Sequence, residues 1–292
     1  MLKSKNLASV REILLNAVIV CLVTTNIFLV QANRVPLLEI KFLDVGQGDS
    51  FLISTPDGVD VLVDAGRDGS GKLALNNTLE PLQDLDLFIL SHPDGDHVGQ
   101  AATIVEQHEL KQVVSLDYEH ANPEYISLIQ MIQDGSNSIE QLKPLAGEVY
   151  LVGCCVRLKI LWPEMRLLES LGLADDPNAA SLGMLIEYGS FRFLAAGDIP
   201  SEVEELLLEM YDLSGVDLFK LSHHGSKTSS SKEFLEMLSP KRAVIQVGAE
   251  NTYGHPAPEV LQNLAEVGVE VHRNDEQGEL IFRTDGRSIH AE

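Results

Sequence analysis

His92-Pro93-Asp94-Gly95-Asp96-His97 sets four side chains of metal-ligating type within six positions. Histidine and carboxylate hold Zn²⁺ or Mn²⁺ while leaving coordination positions open for water, so the cluster reads as half of a two-metal hydrolytic centre. Two further groups carry the same chemistry: Asp198 in Ala196-Gly197-Asp198, and the pair His223-His224 ahead of Gly225-Ser226. A carboxylate can bridge two cations through its two oxygens, which makes Asp198 the natural bridge. The chemistry expected of such a set is attack by a hydroxide that the cations share, with their charge offsetting the charge that builds on a phosphorus centre. No protein nucleophile is needed, and Gly-x-Ser-x-Gly is absent.

Each group follows an apolar run of strand character, at residues 85–90, 191–195 and 216–221. All three therefore stand at the C-terminal ends of strands, where loops build sites on a rigid scaffold. Adjacent residues of a strand point to opposite faces, so one of His223 and His224 is expected on metal, the other turned with Ser226 toward substrate. Residues 59–63 and 243–247 add aliphatic strands, and residues 202–210 and 260–264 have helical periodicity. Residues 33–292 read as one large α/β hydrolase domain.

Ahead of that domain, Lys3, Lys5 and Arg11 precede residues 13–30, which carry no charge. As a helix this run spans about 27 Å, close to a bilayer core of about 30 Å. Residues 1–32 are expected to be either a signal peptide cut after Ala32 or a retained membrane anchor. With the basic residues inside, both options put the domain outside the cytoplasm, secreted, periplasmic or held at the outer face of the inner membrane. Cys154 and Cys155, within the strand-like stretch 149–158, are expected to be buried small hydrophobes rather than a structural bridge.

The order His-x-Asp-x-Asp-His, Gly-Asp, Ser-His-His-Gly-Ser resembles the metallo-β-lactamase fold superfamily. Phe42-Leu43-Asp44-Val45-Gly46-Gln47-Gly48-Asp49-Ser50, Val63-Asp64-Ala65-Gly66 and Tyr253-Gly254-His255-Pro256 narrow the resemblance to its ComEC-type branch, the hydrolase domain of a DNA-uptake channel protein. The resemblance covers residues 38–285 and implies a four-layer αββα sandwich with two divalent cations, Zn²⁺ or Mn²⁺, at one edge. It implies His92 and Asp94 on one metal, Asp96 and His97 on the other, Asp198 between them, and His223 or His224 completing the second. Asp96, Asp198 and His255 are the implied catalytic set, His255 protonating a leaving oxygen or binding a phosphate oxygen. Where most of the superfamily has another histidine for the first metal, residues 176–181 offer Asn178 and Ser181, expected to face substrate with Ser226, Lys227 and His255. Two carboxylates in the motif harden the ligand set toward Mn²⁺. Asp44, Asp49 and Asp64 are candidates to orient a metal-bound imidazole, Asp64 being preferred.

The chain carries a net charge of −23, a field that repels a polyanion. A nuclease of this composition needs a local basic track, its cations, or a partner that delivers the strand. Lys220, Lys227, Lys232, Lys241 and Arg242 are the candidates for such a track. The expected function is metal-dependent phosphodiester hydrolysis, of DNA in the first instance. Hydrolysis of a small phosphoester or other ester at the envelope is the alternative that the acidity favours, and a non-catalytic metal-binding assembly module is the third. Oligonucleotide-binding domains and multiple spans of a channel are not legible here, so a role in DNA uptake calls for a separate channel protein.

Overall fold

A computed structural model describes residues 37–67, 69, 84–134 and 138–292. The uncharged run 13–30, and with it the leader or anchor expectation, lies outside the described residues.

Strict alternation builds the first strand: in β1 (Leu38–Phe42), Leu38, Ile40 and Phe42 are buried while Glu39 and Lys41 are half-exposed. It joins β2 (Phe51–Ser54), β3 (Asp60–Val63), β4 (Leu85–Ile89), β5 (Leu110–Val114), β6 (Glu140–Leu142), β14 (Leu280–Thr284) and β15 (Ile289–Ala291) in a sheet ordered β15-β14-β1-β2-β3-β4-β5-β6. A second sheet is ordered β13-β12-β11-β10-β9-β8-β7, from β7 (Val149–Val152), β8 (Val156–Trp162), β9 (Gly183–Tyr188), β10 (Phe191–Ala195), β11 (Leu218–Lys220), β12 (Arg242–Ile245) and β13 (Glu270–Arg273). The inner faces meet in one apolar layer, where Phe42 and Phe51 of one sheet pack edge-on against Phe193 of the other, with centroids 5.7 and 5.6 Å apart. Each such fully buried side chain contributes roughly 1.5–3 kcal/mol.

Helices cover both outer faces. Val98, Ile104, Val105, Leu128 and Ile132 pack on Leu62, Phe88 and Val113 of the first sheet. Val203, Leu207, Phe234, Leu235, Val260 and Leu264 pack on Leu194, Phe219 and Ile245 of the second. The layering is the expected αββα sandwich.

What matters for chemistry is where the sheets turn parallel. β3 runs parallel to β4, with Val63 opposite Ile89. β10, β11 and β12 are likewise parallel, with Ala195 opposite Lys220 and Lys220 opposite Val244. Asp64, His92, Asp198, His223-His224 and Gln246 all follow the ends of these five strands.

The cysteine expectation is corrected. The hairpin register pairs Val152 with Val156, which leaves Gly153, Cys154 and Cys155 as the turn. Both cysteines are exposed there and are joined as a vicinal disulfide.

Candidate metal centre

Asp94 is still extended (φ −69°, ψ 149°) and precedes the short helix Gly95–Val98, so the motif bends at once from strand exit into a helical turn. That turn presents Asp96 and His97. Neighbouring loops hold it through backbone bonds: Asp49 N–H to Asp96 O (3.1 Å), Ala65 N–H to His97 O (2.6 Å) and Gly99 N–H to Gly66 O (2.9 Å). The approach is so close at Gly48 that a Cβ there would lie 2.1 Å from the Asp96 carbonyl oxygen, and Gly48 has φ +133°. Only glycine fits both demands.

Asp198 gathers the histidines. Its Oδ2 lies 3.3 Å from His97 Nε2, 3.5 Å from His224 Nε2, and 3.9 Å from Nε2 of both His92 and His223. His92 Nε2 is also 3.7 Å from Asp94 Oδ2, and His224 Nε2 is 3.5 Å from Asp96 Oδ2. Ser181 Oγ accepts the Asp198 N–H at 3.1 Å, fixing the strand exit from below.

The opposite ring nitrogens are tied down. Asp64 Oδ2 is 2.8 Å from His97 Nδ1, and His224 Nδ1 is 2.9 Å from the Gln246 carbonyl. Such bonds fix the ring tautomer and turn Nε2 inward as a lone-pair donor. Nε2 of His92, His97 and His224 and Oδ1 of Asp198 are buried and, among the described residues, have no hydrogen-bond partner. Unpaired buried polar atoms are costly, so a set converging on one point is what a cation would satisfy. Donor atoms of His92, His97 and Asp198, and of Asp96, His97 and His224, form two compact groups suited to divalent metal. The residues present therefore fit the cations that the ligand types imply.

Electrostatics follow from burial and crowding. Burial opposes charge on His97, but Asp198 and Asp64 outweigh it and hold its pKa well above the ordinary value. His92, buried and beside His97, is held well below. Burial would raise Asp198, yet His97 and His224 keep it well below the usual carboxylate range. Burial lowers His223 and His255 and raises Asp94.

The set opens through a cavity of about 140 Å³ whose walls include Asp94, Asp96, Asp198, His223, Tyr253 and His255. His223 and His224 are not on a strand, as expected, but in the 3₁₀ turn Ser222–Gly225, with left-handed φ of 51° and 54°. The turn, rather than strand alternation, separates them: His224 is buried against the carboxylates while His223 is partly exposed at the cavity. Lys227 is exposed beside this turn and Ser226 Oγ is engaged by Thr228 Oγ at 2.9 Å. Neither belongs to the cavity wall.

Other expectations are corrected. Asp44 is exposed between buried Leu43 and Val45, and its carboxylate accepts the Gly46 N–H (3.4 Å). Asp49 comes in its place, with Oδ1 3.2 Å from His224 Nδ1 and Oδ2 in contact with the Lys220 ammonium. Lys220 is thus fully buried and unavailable to a phosphate track. Ser181 is fully buried beneath Asp198 and turned from substrate, and Asn178 lies outside the cavity wall, its N–H on Asp176 Oδ1. Lys232 pairs with Glu266, Lys241 with Asp217 and Arg242 with Glu270, so three members of the expected basic track are ion-paired and Lys220 is buried, which leaves the exposed Lys227.

Arg67 and His120 also reach the site, though neither is among the residues expected from the sequence. Arg67 Nη2 is 3.9 Å from Asp96 Oδ2, and His120 Nε2 is 3.6 Å from Asp94 Oδ1. His120 follows β5, another strand ending at this edge, so the rule that found the other clusters also points to it.

The family model for the Metallo-beta-lactamase superfamily matches residues 43–248. ComE operon protein 3 of Bacillus subtilis (strain 168) is 30% identical over 270 residues, covering 85% of this chain and 33% of that protein. Competence protein ComA of Neisseria gonorrhoeae is 28% identical over 245 residues, covering 82% of this chain and 31% of that protein. The chain spans about a third of the length of these relatives. Among solved structures, the metallo-beta-lactamase fold protein YhfI from Bacillus subtilis aligns with TM-score 0.51 at 12% identity, over 87% of this chain and all of that one. That likeness is one of fold.

Proposed function

We propose, from the premise that this chain belongs to the metallo-beta-lactamase superfamily as a metal-dependent hydrolase, that it cleaves phosphodiester bonds, with DNA as the substrate. The observation that carries the reading is Asp198 Oδ2 within 3.9 Å of ring nitrogens from four histidines. In this reading His92 and Asp94 would hold one divalent cation and Asp96, His97 and His224 the other, with Asp198 a ligand within reach of both sets. Zn²⁺ and Mn²⁺ both suit the donors, the carboxylates favouring Mn²⁺. Bound cations supply Lewis acidity, making an attacking water acidic and offsetting charge on phosphorus. Asp64 and the Gln246 carbonyl orient the His97 and His224 rings. His223 and His255, kept neutral by burial, donate N–H groups to phosphate oxygens from the cavity wall.

The relation to a competence protein supports a role in DNA uptake, in which a channel partner delivers the strand. Residues 13–30 support placement of the domain outside the cytoplasm; among the described residues no helix is long and apolar enough to cross a membrane. A reporter active only outside the cytoplasm, fused at Glu292, tests that placement.

The ion pairs of Lys232, Lys241 and Arg242 favour a second reading, a small phosphoester substrate whose charge the cations alone can offset. Turnover of single-stranded DNA, duplex DNA and a small phosphodiester, with Mn²⁺ and with Zn²⁺, separates the two. Absence of turnover on all three by metal-loaded protein rejects both and leaves a non-catalytic module.

A further inference from the structure

Beyond the metal donors, the cavity mouth holds a row of planar groups. The Tyr253 ring lies nearly parallel to that of His255, centroids 6.0 Å apart and planes 13° from one another. His255 in turn meets His223 at 5.8 Å. The row thus leads outward from Asp198 to a tyrosine that is 57% exposed. Arg67 steadies it: Nη2 donates to Tyr253 Oη at 3.0 Å, and the same nitrogen lies 3.9 Å from Asp96 Oδ2.

A tyrosine held by its hydroxyl and backed by a parallel imidazole is a preformed platform. It loses little rotamer freedom when a second flat group settles on it. Its position, one imidazole removed from the metal donors, suits a flat group one sugar away from a phosphate at the cavity. Charge supports the same side. The wider groove reached through His120 is lined by Asp117, Glu119 and Asp175, of which Asp117 is paired with Lys143, so its wall keeps an excess of negative charge. The Tyr253 side has the Arg67 guanidinium.

We infer that Tyr253 and Arg67 form a nucleobase subsite, in which a base stacks on Tyr253 and Arg67 takes the adjoining phosphate, so that the substrate is a single strand of nucleic acid. This rests on the phosphodiester reading above. Stacking needs an unpaired base, which a duplex does not offer, and it is indifferent to sequence because every base has a π-face. It also reconciles a chain of net charge −23 with a polyanion: affinity comes from two cations, one guanidinium and stacking rather than from a basic track.

The test compares oligothymidine with an abasic strand of the same length and backbone, using metal-loaded full-length protein, Tyr253→Ala, Tyr253→Phe and Arg67→Ala. Metal content is measured in each preparation. Wild type is expected to show a KM roughly tenfold lower for oligothymidine, in the range of one base–aromatic stack. Tyr253→Ala collapses that ratio toward one, Tyr253→Phe, which keeps the ring but loses the Arg67 bond, retains most of it, and Arg67→Ala raises KM for both strands and flattens its salt dependence. A wild-type ratio near one, or an equal effect of Tyr253→Ala on both strands, overturns the subsite. Turnover of a small phosphodiester with neither strand cleaved overturns the subsite and leaves phosphodiester chemistry standing. Failure on all substrates overturns the underlying reading as well.

Discussion

Asp64 Oδ2 lies 2.8 Å from His97 Nδ1, on the side of the ring that faces away from Asp198. The same carboxylate accepts the Ser91 N–H and hydroxyl at 2.8 and 2.7 Å, so it ties the exit of β4 to the helical turn carrying His97. Asp64 itself has φ +56°, a left-handed conformation that asparagine also tolerates. Asp64→Asn therefore tests the charge without adding backbone strain. Metal affinity is expected to fall about 10- to 100-fold, as for other partners of metal-bound imidazoles. Metal titration of the folded variant checks this; unchanged affinity would show that Asp64 only packs the turn.

Asp198→Ala removes the one oxygen shared by all four histidines. Both cations are expected to weaken, and turnover to drop by several orders of magnitude, about 4 kcal/mol or more of transition-state stabilisation. Elemental analysis and kinetics are read beside a circular dichroism control. A folded variant with two metals and near-normal rate would remove Asp198 from the centre.

The ligand clusters were legible because their chemistry needs no long-range information: each stands a residue or three past an apolar run, and parallel strands bring such ends to one edge. Three features were not. The left-handed turn at His223 and His224 replaces strand alternation, and only Gly225 behind it hints at a turn. The choice between the candidates Asp44 and Asp49 was not legible, since the partner that Asp49 meets in the core, Lys220, is remote in sequence. The strand-like stretch around Cys154 folds as a hairpin at Gly153, a breaker that outranks the β-formers flanking it.

His224 and His223 should part company on substitution. Asparagine is the suitable replacement at both, since each has left-handed φ. His224→Asn removes a nitrogen 3.5 Å from both Asp96 and Asp198 and is expected to lose one of two bound metals. His223→Asn, at the partly exposed cavity wall, is expected to keep both and lose up to roughly a hundredfold in rate. Metal counts that fall equally in the two variants would refute this division.

Glu204 offers a prediction about pH that is separate from the metals. It is fully buried on the helix Ser201–Met210, where its two oxygens accept the Ser230 and Ser231 N–H groups at 2.6 and 2.9 Å. Burial pushes its pKa up to about 7, against the bonds from Ser231 and Ser230 that pull it down. A raised carboxyl binds its proton more tightly in the folded state, so its contribution is fully present below the unfolded value of about 4.5 and is lost as pH rises through about 7. The change across that window is roughly 3 kcal/mol. Glu204→Gln keeps a carbonyl acceptor but cannot ionise, and its mismatched amide adds an offset that does not vary with pH. Urea unfolding of both proteins from pH 4.5 to 8 is the measurement, and metal-linked pH effects common to both cancel in the difference. Wild type is expected to lose ground steadily against the variant up to about pH 7 and to level off beyond. A stability difference that stays constant across the range would mean that Glu204 titrates alike in the folded and unfolded chain, the backbone donors offsetting its burial.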